Sequence, residues 1–162
     1  HHEMCDGSGY PQHLQLARID PLARILSLVN TYDNYCNKVN PAQSLTPHEG
    51  LALMFAHQKA KFDPIPLNLF IRCLGVYPPG TLVLLSNECY GLVVSVNSSR
   101  PLKPQVLVHE PNAKQAVVLD LELESGMNIS KSLKLAQLPI DVAHHLSPKK
   151  RMTYFFSPSE TS

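Results

Sequence analysis

The chain has 162 residues, 44% of them apolar, and a formal charge of +1. That length suits one domain or two small ones, and the near-neutral charge argues against a polybasic surface for a nucleic-acid polymer or a membrane. No apolar run approaches the ~20 residues that cross a bilayer, the opening residues give no signal peptide, and the four scattered cysteines lack CxxC spacing, so a cytoplasmic protein with free thiols is expected.

The chain opens with the segment of most specific chemistry, His1-His2-Glu3-Met4-Cys5-Asp6-Gly7-Ser8-Gly9-Tyr10-Pro11. Neutral imidazoles and carboxylates are ligands for divalent metals. Gly7 to Pro11 must form a tight loop, because glycine permits positive φ and proline stops any helix before it. Residues 12–19 read as a connection. Asp20-Pro21 then starts a helix, with Asp20 as N-cap and proline at the first helical position. Leu22, Ile25, Leu26, Val29, Asp33 and Cys36 recur at helical spacing and predict the inner face. Asp33 sits near the centre of that stripe, where a carboxylate needs a partner.

Thr46-Pro47-His48-Glu49 is a capping box, and Leu51, Met54, Phe55 and Gln58 predict the inner face of a second helix. Asp63-Pro64 starts a third, which Gly75 ends. Helices are thus expected near 20–36, 47–60 and 65–74. The composition changes at Val76-Tyr77-Pro78-Pro79-Gly80, taken as a boundary between a helical domain (1–76) and a small β-rich domain (77–162). Strands are expected at Thr81–Leu85, Gly91–Val96, Val106–His109 and Val117–Leu121, with turns such as Ser86-Asn87 and Pro111-Asn112 between them. The fold class is therefore α+β, ending in a small antiparallel barrel or meander, SH3-like if closed. Pro139–Leu146 reads as a short helix that places His144 and His145 on the surface. The tail offers Lys149-Lys150-Arg151 and Tyr154-Phe155-Phe156 as a docking strand, with Ser157–Ser162 expected to fray.

The opening segment resembles the HHExxDGxGYP signature of the HD-GYP domains, a branch of the HD phosphohydrolases that hydrolyses the bacterial messenger cyclic di-GMP. All eight fixed positions are present: His1, His2, Glu3, Asp6, Gly7, Gly9, Tyr10 and Pro11. Pro21 to Leu26, Asp33 and Phe62-Asp63-Pro64 also fit, so the resemblance covers about residues 1–75. It implies that His1 and His2 ligate a metal, iron or manganese, in a site of two or three ions. Glu3 and Asp6 either orient those imidazoles or are simply solvated charges, and the resemblance implies that Gly7, Gly9, Tyr10 and Pro11 line a groove for cyclic di-GMP or dock diguanylate cyclase domains.

The chain also departs from the family. Asn30 stands where the family has an aspartate ligand, and a neutral amide oxygen binds a cation more weakly. Asp33 matches the second aspartate and serves locally or as a structural acceptor. The basic segment that meets substrate phosphate reads Lys38-Val39-Asn40-Pro41-Ala42, where Lys38 is a point charge without the fork of arginine. The His-Asp dyad of the superfamily falls upstream of His1. The expectation is therefore the C-terminal half of such a domain, inactive alone and prone to self-association through uncovered apolar faces. The competing expectation is a non-catalytic module that binds a partner protein or the dinucleotide through its Gly-Tyr-Pro loop.

Overall fold

The computed structural model describes residues 1–109 and 116–146. The expected Pro111-Asn112 turn and the whole tail from Ser147, with Lys149–Arg151, Tyr154–Phe156 and Ser157–Ser162, lie outside the described residues. Three helices come first: α1 (Pro21–Cys36), α2 (Pro47–His57) and α3 (Pro64–Leu74). Each begins as its sequence dictates. The carboxylates of Asp20 and Asp63 accept from the amides of Leu22 and Ile65, and Thr46 with Glu49 forms a reciprocal capping box. Gly75 ends α3 with φ +69°, a left-handed position that suits glycine.

These helices pack around Leu28, Tyr32, Cys36, Leu51, Met54, Phe62, Leu67 and Leu74. Tyr32 is fully buried, meets Phe70 edge-on at 5.2 Å and donates to the Pro47 carbonyl at 3.4 Å. Burying such a side chain contributes about 1.5–3 kcal/mol before entropy is counted.

The buried face of α1 is not the expected one. Of the expected stripe Leu22, Ile25, Leu26 and Val29 are exposed and only Cys36 is buried, together with Ser27, Leu28 and Tyr32 from outside it. Helix α1 carries two apolar stripes, and α2 and α3 cover the other one. Phe55 on α2 is likewise exposed, because Gly50, Leu51 and Met54 form the packed face. Ile25 and Val29 of α1, with Ile65, Leu69 and Cys73 of α3, line an open apolar groove of about 530 Å³.

The rest is a five-stranded antiparallel sheet in the order β4-β3-β2-β1-β5. The strands are β1 (Leu82–Leu85), β2 (Tyr90–Ser95), β3 (Gln105–Val108), β4 (Val117–Asp120) and β5 (Ile129–Leu133). Strands β1 to β4 form a meander, and β5 returns to pair with β1. The sheet is open, so no closed SH3-like barrel forms. Its residues alternate between two apolar layers. Val83, Leu85, Val93, Val106 and Val108 face one side, and Leu82, Leu92, Leu107 and Leu133 face the other. The second layer is covered by α4 (Ile140–Leu146) through Val142 and Leu146. Helix α2 touches the start of this region: His48 Nδ1 lies 2.7 Å from the Val76 carbonyl, and its ring stacks on Tyr77 at 4.7 Å.

Candidate functional site

The segment from His1 to Leu16 is a loop folded back on itself. The Asp6–Gln15 bridge and the bond from the Leu16 amide to the Cys5 carbonyl (3.1 Å) close its base. Two carboxylates shape the interior. Glu3 accepts from the amides of Gln12 (2.7 Å) and Leu14 (2.8 Å), one on each oxygen. Burial works to raise its pKa, but those two amides and the nearby His13 prevail and hold it below the ordinary glutamate value. Asp6 accepts from the Ser8 hydroxyl (2.6 Å) and the Ser8 amide (3.0 Å), and these bonds lower its pKa. The hydrogen bonds of both carboxylates therefore run to the loop, which orients the backbone that carries the imidazoles.

Gly9 is buried where the loop crosses its own beginning. A Cβ there would stand 2.3 Å from the Met4 amide nitrogen, 2.4 Å from the His2 carbonyl oxygen and 2.5 Å from the Glu3 Cα. Only glycine permits that crossing. Gly7 is needed for a different reason, its φ of +80°. The crossing brings the Tyr10 amide to the His2 carbonyl at 3.2 Å. It also stacks the Tyr10 ring on His2, with centroids 4.8 Å apart and planes 10° from parallel. His1 lies beside His2 at 4.0 Å. His1, His2, Tyr10 and Pro11 are all exposed, so the loop presents a row of three rings to solvent.

The loop is fastened to the helices from beneath. The Cys5 amide donates to the Lys61 carbonyl at 2.8 Å, and the Ser27 hydroxyl of α1 reaches the Glu3 carbonyl at 3.4 Å. Arg24 donates from Nε to the Ile19 carbonyl (2.8 Å) and pairs through an Nη with Asp63 Oδ2 (2.9 Å). This partly buried bridge ties α1 to the cap of α3. Neither Arg24 nor Ser27 stands out in the sequence. An arginine four residues after an N-cap looks solvated until the fold places Asp63 beside it.

The other site residues are spread more widely. Asn30 is exposed on α1, one turn beyond Ser27, and the ring contacts of His1 and His2 are with each other and with Tyr10. Asp33 is half-buried and accepts from the Asn37 side chain at 2.7 Å near the end of α1. Lys38 is exposed just past that end, its amide donating to the Ser44 hydroxyl. The donor set fits a divalent metal only in part. His1 and His2 offer two accessible imidazoles side by side. Among the described residues, however, no group of three or more His, Cys, Asp or Glu side chains is arranged to hold an ion. These residues do not complete a coordination shell.

Residues 1–65 match the family model of the HD domain. The chain is 32% identical over 108 residues to a cyclic di-GMP phosphodiesterase of Pseudomonas aeruginosa, an alignment that covers 67% of this chain and 26% of that protein. It is 33% identical over 72 residues to a probable cyclic di-GMP phosphodiesterase of Vibrio cholerae, covering 44% of this chain and 16% of that one. The matched stretch is thus about a quarter or less of the curated relatives' length. No solved structure matches. Among the described residues no helix is long and apolar enough to cross a membrane.

Proposed function

We propose that the protein acts in metal-dependent hydrolysis of cyclic di-GMP, since residues 1–65 match the HD-domain family model and carry the HD-GYP signature. In this reading the 162 residues supply one wall of the site. The observation that carries it is the self-crossed loop, in which Glu3, Asp6 and Gly9 fix the backbone that displays His1, His2 and Tyr10. Hydrolysis of a phosphodiester needs an activated water and neutralised phosphoryl oxygens, which two metals about 3.5–4 Å apart provide when bound. His1 and His2 would hold one edge of such a centre. Asn30 would be a weak neutral donor, and the remaining ligands would come from outside the described residues. Iron or manganese is the proposed metal. Tyr10, stacked on His2, would present a π-face to a guanine or to a docked diguanylate cyclase domain.

The open apolar groove between α1 and α3 supports the further reading that this chain on its own self-associates, because contiguous exposed apolar surface tends to be covered. Light scattering behind size-exclusion chromatography would show a dimer; a clean monomer would sink that reading.

A non-catalytic alternative rests on one specific observation, the two-imidazole donor set. There the loop binds a partner or the dinucleotide without turning it over. The deciding experiment assays cyclic di-GMP hydrolysis by a longer natural chain that extends upstream of His1, beside its His1→Ala/His2→Ala variant. Turnover lost in the variant supports the enzyme. A longer chain that binds cyclic di-GMP, carries no stoichiometric metal by mass spectrometry and gives no turnover supports the module.

A further inference from the structure

The exposed apolar face of α1 and α3 has a shape as well as a composition. Around α1 the apolar residues run from buried Leu28 and Tyr32, through Ile25 and Val29 in the groove, to Leu22 and Leu26 at its outer edge. Leu22 and Leu26 stand one turn apart and are 71% and 58% exposed, so they form a ridge. The opposite wall of the groove is Ile65 and Leu69 of α3. The bridge from Arg24 to Asp63 holds the starts of the two helices together, which keeps ridge and groove side by side.

A ridge beside a groove on one face is self-complementary about a two-fold axis, because the ridge of each copy can enter the groove of the other. No charge would be desolvated. Between Pro21 and Asn30 the only charged side chain is Arg24, which turns to Asp63, and Pro64–Leu69 carries none. The six exposed residues of ridge and groove present roughly 600 Å² per copy, the upper end of what monomers leave contiguous. Paired, they would bury about 1,200 Å², where specific interfaces begin. We infer that this face binds a second copy of the chain, with α1 and α3 of the two copies packed ridge into groove about a two-fold axis; this rests on the self-association reading above and adds its surface and symmetry. Cys73, two turns beyond Ile65 on α3, stays at the open end of the groove.

The test compares the 162-residue chain by sedimentation equilibrium with Leu22→Glu, with Leu26→Glu and with Leu123→Glu, a control at an exposed leucine of the β-rich half. Leu22 lies in the first turn of α1, where a carboxylate favours the helix, so that variant keeps its fold, checked by circular dichroism. The expected result is a wild-type dimer whose dissociation constant weakens at least tenfold in both face variants and is unchanged in Leu123→Glu. A dimer that both face variants retain at wild-type strength overturns this face and leaves self-association standing. A wild-type monomer overturns both. A longer natural chain that reaches upstream of His1 and stays monomeric at the same concentration also overturns the pairing, because the chain itself then covers the face.

Discussion

Gly9→Ala is the sharpest test of the loop. The added methyl would lie 2.3, 2.4 and 2.5 Å from atoms of Met4, His2 and Glu3, all of them backbone. No side chain can rotate away, so the segment carrying His2 to Met4 must part from the Gly9–Pro11 turn. Overpacking of this kind costs about 1–3 kcal/mol, occasionally more. The loop can answer by opening locally, which spares the three-helix core and limits any loss of global stability. Hydrogen exchange is therefore the better assay. The Tyr10, Gln12 and Leu14 amides donate to the His2 carbonyl and to Glu3, so they report the crossing directly. A penalty of about 2 kcal/mol speeds their exchange roughly thirtyfold, while amides within α2 stay unchanged. Gly7→Ala is the internal control. Its nearest contact would be 3.5 Å away, and its cost comes from a φ of +80° alone, about 1–2 kcal/mol. Wild-type protection of these three amides in Gly9→Ala would refute the reasoning.

Asp63 both caps α3 and pairs with Arg24, so Asp63→Ala should cost about 1–2 kcal/mol in urea denaturation and Asp63→Asn, which keeps a cap, clearly less. Burial, opposed only in part by the bond with Tyr32, pushes the Cys36 thiol up to about 12; it should resist alkylation at pH 8 in the folded chain and react on unfolding, whereas exposed Cys73 should label at once. Mass spectrometry of iodoacetamide-treated protein reads both. The Asp6 carboxyl lies below its ordinary value of 3.8 because of the Ser8 hydroxyl and amide. Its folded pKa is thus depressed, so its contribution is present above pH 3.8 and is lost as pH falls through the lower folded value. The Ser8 amide resonance should move in that acid range and should not in Asp6→Asn.

Much of the secondary structure was legible because the chain punctuates itself. Asp20-Pro21, Thr46-Pro47 and Asp63-Pro64 start all three large helices where proline and a capping side chain say they should. Strand β5 was not legible. Ile-Ser-Lys-Ser-Leu is an edge strand, and only Leu133 among its residues is fully buried, so its alternation is faint. The buried face of α1 was misread for a physical reason. Periodicity reports that a stripe is apolar, not which neighbour arrives to cover it. With Leu28, Tyr32 and Cys36 against α2 and α3, the equally apolar Ile25 and Val29 are left lining an open groove.

At the site, the signature does not say which groups its carboxylates bond to. A carboxylate beside two histidines invites a reading as a metal ligand or as an orienter of the rings. In the fold Glu3 spans two amides nine and eleven residues ahead of it, and Asp6 closes a turn onto Ser8. Those bonds, with the crossing at Gly9, account for why the motif needs acids and glycines at these spacings even before any ion is bound. They also bear on how the loop should respond to substitution. Removing an imidazole alters what the loop offers to a ligand and leaves its backbone bonds intact. Removing Glu3 frees the Gln12 and Leu14 amides together and releases the loop segment that holds His2 against Tyr10. A Glu3→Ala chain should therefore lose the ring stacking of Tyr10 on His2, visible as a change in the Tyr10 ring-proton shifts, while His1→Ala should leave it in place. Equal shifts in the two variants would mean that the imidazoles, and not the carboxylate, hold the loop in shape.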